Sequence, residues 1–218
     1  MKREAKNTAE IKISLIVVAI AFLYAIVRYN IIRGISWEQL PLFISNKAIA
    51  LAALTLIALS YSVGSLSKFW PKFSSLLSAR KYLGLFGFGL GAIHGLISLL
   101  IFDPQHYPKF FTEGVLNFTG ELSMLFGVLA LAIFAIVAIS SIPSIAESLK
   151  QDKWLKIQRL GYLGLLLLAG HVFVMGYKGW LQPSTWPGGL LPISLVAFII
   201  VALVILMKAI AIIALGRK

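Results

Sequence analysis

Cysteine is absent from this 218-residue chain. Disulfides, thiolate ligands and iron–sulfur clusters are thereby excluded. Acid is scarce: eight Asp and Glu stand against twenty Lys and Arg. Charge of either sign is too sparse for a soluble domain of this size, which keeps far more of it on its surface. Histidine occurs only three times, as His94, His106 and His171. The apolar runs contain almost no carboxylates, which disfavours an ion transporter built on buried acids.

What is abundant is hydrophobicity. Apolar side chains make up 59% of the residues, and runs of about twenty recur along the chain, the length needed to cross a bilayer. The expected fold is all-α: a polytopic six-transmembrane-helix bundle in the lipid bilayer of a plasma or inner cell membrane. Its spans run over 13–33, 48–67, 82–102, 116–143, 157–180 and 190–215, with a run of 28 residues in the fourth that calls for tilt or an interfacial extension. Residues 1–12 form an N-terminal arm, 13–215 the membrane domain and 216–218 a tail. The five tryptophans, Trp37, Trp70, Trp154, Trp180 and Trp186, fall at or near span ends, where an amphipathic ring sits best. No small-residue cleavage site closes the first run, so it reads as a span and not as a signal peptide.

The basic residues are unevenly shared. Lys2, Arg3, Lys6 and Lys12, then Lys68, Lys72, Arg80 and Lys81, then Lys150, Lys153, Lys156 and Arg159, and finally Lys208, Arg217 and Lys218 lie on one side of the predicted bundle. Arg28, Arg33, Lys47, Lys109 and Lys178 lie on the other. The positive-inside rule then puts both termini in the cytoplasm. The net charge of +12 is a topology signal and not a nucleic-acid footprint, because it is split among short separated loops.

Two stretches share a template. "LGLFGFGLGAIH" (83–94) and "LGYLGLLLLAGH" (160–171) each read Leu-Gly, two residues, Gly, six residues, His, and each closely follows an arginine, Arg80 or Arg159. At about 1.5 Å per residue the histidines lie roughly 21 and 18 Å from those arginines, at one level on two parallel helices. Two neutral imidazoles so placed suit the axial positions of one haem iron. Gly87 and Gly164 lie two turns inward on the same faces, where glycine leaves room for a flat macrocycle edge, and Gly84 and Gly161 extend that strip. Close helix packing is the competing account of such glycines, and a lone intramembrane histidine can simply bond a neighbouring carbonyl. His106, in "DPQHYPKFF", reads as an exposed loop residue before a metal-substrate contact. The segment "GFGLGA" matches the loose dinucleotide fingerprint but lies within an apolar run without a preceding strand, so no NAD(P)H site is read from it.

"RKYLGLFGFGLGAIHGLISLL" and "SSIPSIAESLKQDKWLKIQRLGYLGLLLLAGHVFVMGYKGW" together resemble the STEAP metalloreductases (six-transmembrane epithelial antigen of the prostate), within the ferric-reductase-like transmembrane group. The resemblance spans roughly residues 45–215. It implies His94 and His171 as ligands of a single b-type haem, and flavin (FAD) on the inner side with Arg80 and Gln158 as the closest matches to its contacts. It implies ferric or cupric chelates as outside acceptors, a homotrimer and no side chain in a catalytic role beyond cofactor binding. Flavin phosphates would draw on Arg80, Lys81, Lys156 and Arg159, and Trp154 is either a stacking platform or an interfacial anchor. Two departures stand out. Only about a dozen residues precede the first span, as in the family form without the NADPH oxidoreductase domain, so a separate cytoplasmic flavin or NAD(P)H reductase is the expected partner. Between "IQ" and "LGY" the chain is one residue short of the family pattern, which loosens the match of Gln158. The register also touches the YedZ/MsrQ haem subunits, which pass electrons to a periplasmic protein. Those carry a further histidine at the place of Gln158, so a second haem of that kind is not expected. A non-redox transporter remains the third alternative.

Overall fold

The computed structural model describes the backbone of residues 2–215 and the side chains of 10–214. The expected tail 216–218 lies outside the described residues, as do the side chains of Lys2, Arg3 and Lys6. Seven α-helices follow in order: α1 (Lys2–Ile26), α2 (Ser45–Phe69), α3 (Arg80–Ile101), α4 (Phe118–Ile139), α5 (Pro143–Ser148), α6 (Gln151–Trp180) and α7 (Ile193–Leu215). Six helical segments are long and apolar enough to cross a membrane, over Glu10–Ile32, Trp37–Phe69, Arg80–Ile101, Phe118–Ile139, Gln151–Trp180 and Pro187–Ala214. This is a multi-pass membrane protein. Its outward side chains are those lipid tolerates: Leu100 is 79% exposed, and Leu96 and Leu99 on the same helix, Ile20 on α1 and Ile212 on α7 are exposed as well.

Several boundaries differ from the sequence expectation. The fourth span stops at Ile139, because Ser140 and Ser141 turn the chain and Pro143 starts the short helix α5. The expected 28-residue run is therefore one helix of 22 residues followed by a turn that leads into α5. Helix α6 begins at Gln151, six residues early, so Trp154 and Gln158 lie on it. The segment between α1 and α2 is largely helical, with π-helical turns at Val27–Ile32 and Leu40–Ile44. A two-residue antiparallel pairing, β1 (Phe111–Thr112) with β2 (Val115–Leu116), is the sole strand pair among the described residues. Gly114 closes that turn at φ 80°, a conformation open to glycine without strain. Asn117 then caps α4 by accepting from the Gly120 amide at 3.0 Å.

Helix α2 is the hub. More than half of its span is buried, against about a fifth or less in the others, and it packs along α1, α3 and α7. Its buried face is rich in small residues, among them Ala48, Ala52, Ala53, Ala58, Ser60 and Ser62. Without a hydrophobic driving force between helices in lipid, close backbone approach of this kind is what holds them. The second strong pair is α4 with α6, and α7 joins α2 to α6. Among the described residues α3 and α6 are not a closely packed pair.

Gly161 marks where α2 meets α6. A side chain there would collide with the Tyr61 hydroxyl, which donates to the Gln158 carbonyl at 3.2 Å. Gly161→Ala is expected to expel Tyr61 and cost about 1–3 kcal/mol. A lowered thermal midpoint of the detergent-solubilised variant would register it, and an unchanged midpoint would show that the tyrosine moves aside freely.

Candidate functional site: two histidines and a basic cleft

His94 lies on α3 and His171 on α6. Each is held by the helix its own helix packs on. The His94 Nδ1 is 2.8 Å from Oδ1 of Asn46 on α2. The His171 Nδ1 is 2.8 Å from the main-chain carbonyl of Ser123 on α4. An acceptor at Nδ1 fixes the proton there and leaves Nε2 with its lone pair free. Among the described residues no hydrogen bond reaches either Nε2. A ligating histidine is normally prepared in this way, its second nitrogen donating to a carbonyl or carboxylate.

The expected open strip beneath each histidine is absent, and the twin template has another basis. A Cβ on Gly87 would lie 2.9 Å from Ile57 and 3.0 Å from the Ala53 carbonyl. One on Gly164 would lie 2.9 Å from the Phe134 ring. Gly84 meets Ser60 and Gly161 meets Tyr61. These glycines bring α3 onto α2 and α6 onto α4 or α2. That approach puts Asn46 and Ser123 within reach of the two rings about two turns further along. Glycine at −7 therefore serves the histidine by docking the helix that supplies its acceptor.

Three further residues belong to the site and were not singled out in the sequence. Asn46 is fully buried, and its Nδ2 donates to Ser98 Oγ at 2.9 Å. Ser123 is buried. Gly127 on α4 lies beneath the His171 ring, where a Cβ would stand 3.0 Å from Nδ1. Only Asn46 carried a signal, as a lone carboxamide just ahead of an alanine-rich apolar run.

Arg80 and Gln158 line one cleft of about 480 Å³, between α2, α3, α4, α6 and α7, a size typical of small-molecule sites. Lys68, Lys81, Arg159 and Lys208 line it with them, and no carboxylate does. Lys156 is exposed and lies outside it, whereas Lys68 and Lys208 take places the sequence did not assign. Arg80 lies over Gly64 and donates from Nε to the Ser60 carbonyl at 3.0 Å. Gln158 is partly spent: its Nε2 donates to Ser140 Oγ at 3.0 Å and Ser141 Oγ at 3.1 Å, tying α6 to the end of α4. Trp154 lines the cleft with its indole N–H on the Ser140 carbonyl at 3.1 Å. Lys208 stands 5.2 Å from the centre of the Tyr162 ring.

Two cleft-lining residues, Ile57 and Phe134, are the same side chains that close on Gly87 and Gly164. From those glycines the histidines are seven residues onward, about 10 Å of helix rise. The basic cleft thus ends about two helical turns from the two histidines.

His106 lies at the opposite end and is a quarter exposed, more enclosed than a free loop residue. Its amide and its Nδ1 both meet the Asp103 carboxylate, at 2.9 and 2.8 Å, and the amide bond first, then the ring, holds that carboxyl below its ordinary range. Phe43 lies 5.8 Å from its ring centre. Among the described residues no three His, Asp or Glu gather into a metal cluster.

A family model described as "Ferric reductase like transmembrane component" matches residues 47–169. Curated relatives include Metalloreductase STEAP2 of Mus musculus, 28% identical over 72% of this chain and 39% of the relative. Metalloreductase STEAP2 of Homo sapiens is 28% identical over 87% of this chain and 45% of the relative. Metalloreductase STEAP3 of Rattus norvegicus is 24% identical over 83% and 45%. The chain spans less than half the length of these relatives. The matched segment begins just after Asn46 and stops just short of His171, so the second histidine stands on the geometry above.

Proposed function

The chain belongs to the ferric-reductase-like transmembrane family, and from that membership we propose that it carries electrons across the membrane, from reduced flavin in the basic cleft to an acceptor on the far side. The observation that carries this reading is the short distance along the helices from the cleft to the two histidines. A cleft of basic and aromatic side chains ends on Ile57 and Phe134, about two helical turns from two imidazoles with free Nε2 atoms.

The residues fit a b-type haem. His94 and His171 would hold it, each a neutral imidazole with Nδ1 committed to an acceptor. Held by two such side chains, the group would supply one-electron chemistry, which suits electron transfer rather than oxygen binding. Asn46 and Ser123 orient the rings, and Gly127 admits the second.

The residues of the cleft fit FAD, whose chemistry is to take up a hydride pair and release electrons singly. Arg80, Lys81 and Arg159 supply cations for its phosphates, with Lys68 and Lys208 on the other walls. Trp154, Tyr162 and Phe88 offer apolar faces. Gln158 would contribute through its remaining carboxamide oxygen.

Orientation follows the charge bias: cleft and termini cytoplasmic, His106 outside. The acceptor proposed is a ferric or cupric chelate, with a separate cytoplasmic reductase as donor and a homotrimer as the assembly. The alternative of delivery to a periplasmic protein differs only in what meets the outer face.

The test is optical. Purified protein reconstituted with haem should show a low-spin b-type spectrum that dithionite reduces. Added FAD with a flavin reductase should reduce it as well, and faster than either alone. A colourless protein that takes up no haem would end this reading in favour of a non-redox membrane protein.

A further inference from the structure

The two histidines are matched in sequence but not in what holds them. His171 gives its Nδ1 proton to a main-chain carbonyl, Ser123 O, at 2.8 Å. A helix backbone offers that acceptor whatever side chain stands at 123, and the Ser123 Oγ, 3.3 Å from the same Nδ1, is a longer secondary contact. His94 depends on a side chain. Its partner is Oδ1 of Asn46, at 2.8 Å, and Asn46 has no exposed surface.

The orientation of that carboxamide is itself held. Asn46 Nδ2 donates to Ser98 Oγ at 2.9 Å, and Ser98 lies one turn beyond His94 on α3, its Oγ 3.4 Å from the same Nδ1. With Nδ2 tied to Ser98, Oδ1 must face the imidazole. A flipped amide would set two N–H donors against the ring. Ser98, Asn46 and His94 form a closed polar triangle inside an apolar bundle, where an unmade hydrogen bond costs most. Asn46 lies near the start of α2, and the Gly87 contact with Ala53 and Ile57 fixes that helix against α3.

Resting on the haem reading above, we infer that Asn46 is a positioning residue that sets the tautomer, ring plane and donor strength of His94, making His94 the adjustable ligand of the pair and His171 the constant one. A stronger acceptor at Nδ1 makes Nε2 a better electron donor and favours oxidised iron; a missing acceptor does the reverse. A carboxamide oxygen is an acceptor of middle strength, so the site can be moved in both directions.

The experiment is a redox titration of the haem-loaded protein, followed optically, in four variants. Asn46→Asp should lower the midpoint potential by at least a tenfold change in the oxidised-to-reduced ratio, about 59 mV for a one-electron couple. Asn46→Leu should raise it and retain haem roughly 10- to 100-fold less tightly. Ser98→Ala frees the carboxamide to flip and should raise the potential by a smaller step, about threefold in the same ratio. Ser123→Ala removes only the longer Oγ contact at 3.3 Å and keeps the carbonyl at 2.8 Å, so the potential should stay within twofold of the parent ratio. Potentials of Asn46→Asp and Ser98→Ala within twofold of the parent ratio, with haem retained, would overturn the inference. Should both Asn46 variants lose their haem, Ser98→Ala alone decides by the same criterion. A parent protein that never takes up a low-spin haem would instead fail the underlying reading, so the two failures are distinguishable.

Discussion

On the proposed haem reading, replacing either His94 or His171 by leucine is expected to abolish the low-spin b-type spectrum or leave a weakly held five-coordinate haem, and His106→Leu to leave the spectrum intact. Leucine is apolar and of similar bulk, so helix insertion survives and the change reads as lost ligation. Each substitution does leave one acceptor unpartnered, Asn46 Oδ1 or the Ser123 carbonyl, at a cost of about 1–3 kcal/mol. That penalty falls on stability and not on the other ligand, so the surviving imidazole can still be detected. His106 is bound to Asp103 in a loop beyond α3 and has no path to a metal between α3 and α6. The measurement is the absorption spectrum, oxidised and dithionite-reduced, normalised to protein. Two histidine variants with the parent spectrum would leave the twin template as a pair of packing seams and nothing more.

If FAD occupies the basic cleft as proposed, removing the Arg80 guanidinium is expected to weaken its binding by roughly 10- to 100-fold, the value of a charge-assisted hydrogen bond of about 1.5–3 kcal/mol. Arg80→Ala should slow flavin-driven reduction of the haem while dithionite reduction proceeds as before, since the iron site is untouched. Arg80 also braces α2, through Nε on the Ser60 carbonyl. Arg80→Lys separates these roles. It keeps the charge and surrenders the fork, so a smaller loss of affinity is expected. FAD titration by fluorescence quenching reads both variants. Equal affinity in Arg80→Ala and parent would reduce Arg80 to a topology charge and a helix brace.

The sequence made the spans legible because their signal is local: twenty apolar residues and punctuating Pro, Gly and Ser need no tertiary knowledge. It failed at the C-terminal end of the fourth run, where hydropathy continues through Ile142 but the backbone turns at Ser140. Gly87 and Gly164 were legible as important, with room for a macrocycle and close helix packing both open as their purpose. Spacing reveals that a face must be smooth, but not whether a cofactor or a neighbouring helix lies against it. Ile57 and Phe134 decide that. The Nδ1 acceptors were hidden for a further reason. Ser123 serves through its backbone, which every residue has, and Asn46 is 48 positions away from His94 in the chain. Lys68 and Lys208 were counted as orientation charges, and only the folding of α7 against α2 and α6 brings them to one cleft with Arg80.

That α3 and α6 are not a closely packed pair among the described residues has a mechanical corollary. Each imidazole is clamped to its own helix pair, His94 to α2 and His171 to α4, and α7 bridges α2 and α6. A metal coordinated by both rings would act as a tie-rod across two leaves of the bundle. Ligation energy would then become cohesion between those leaves, about 2.7 kcal/mol when the free group stands at a hundred times its dissociation constant. Cofactor supply would set how firmly the two leaves are held together as well as whether electrons cross.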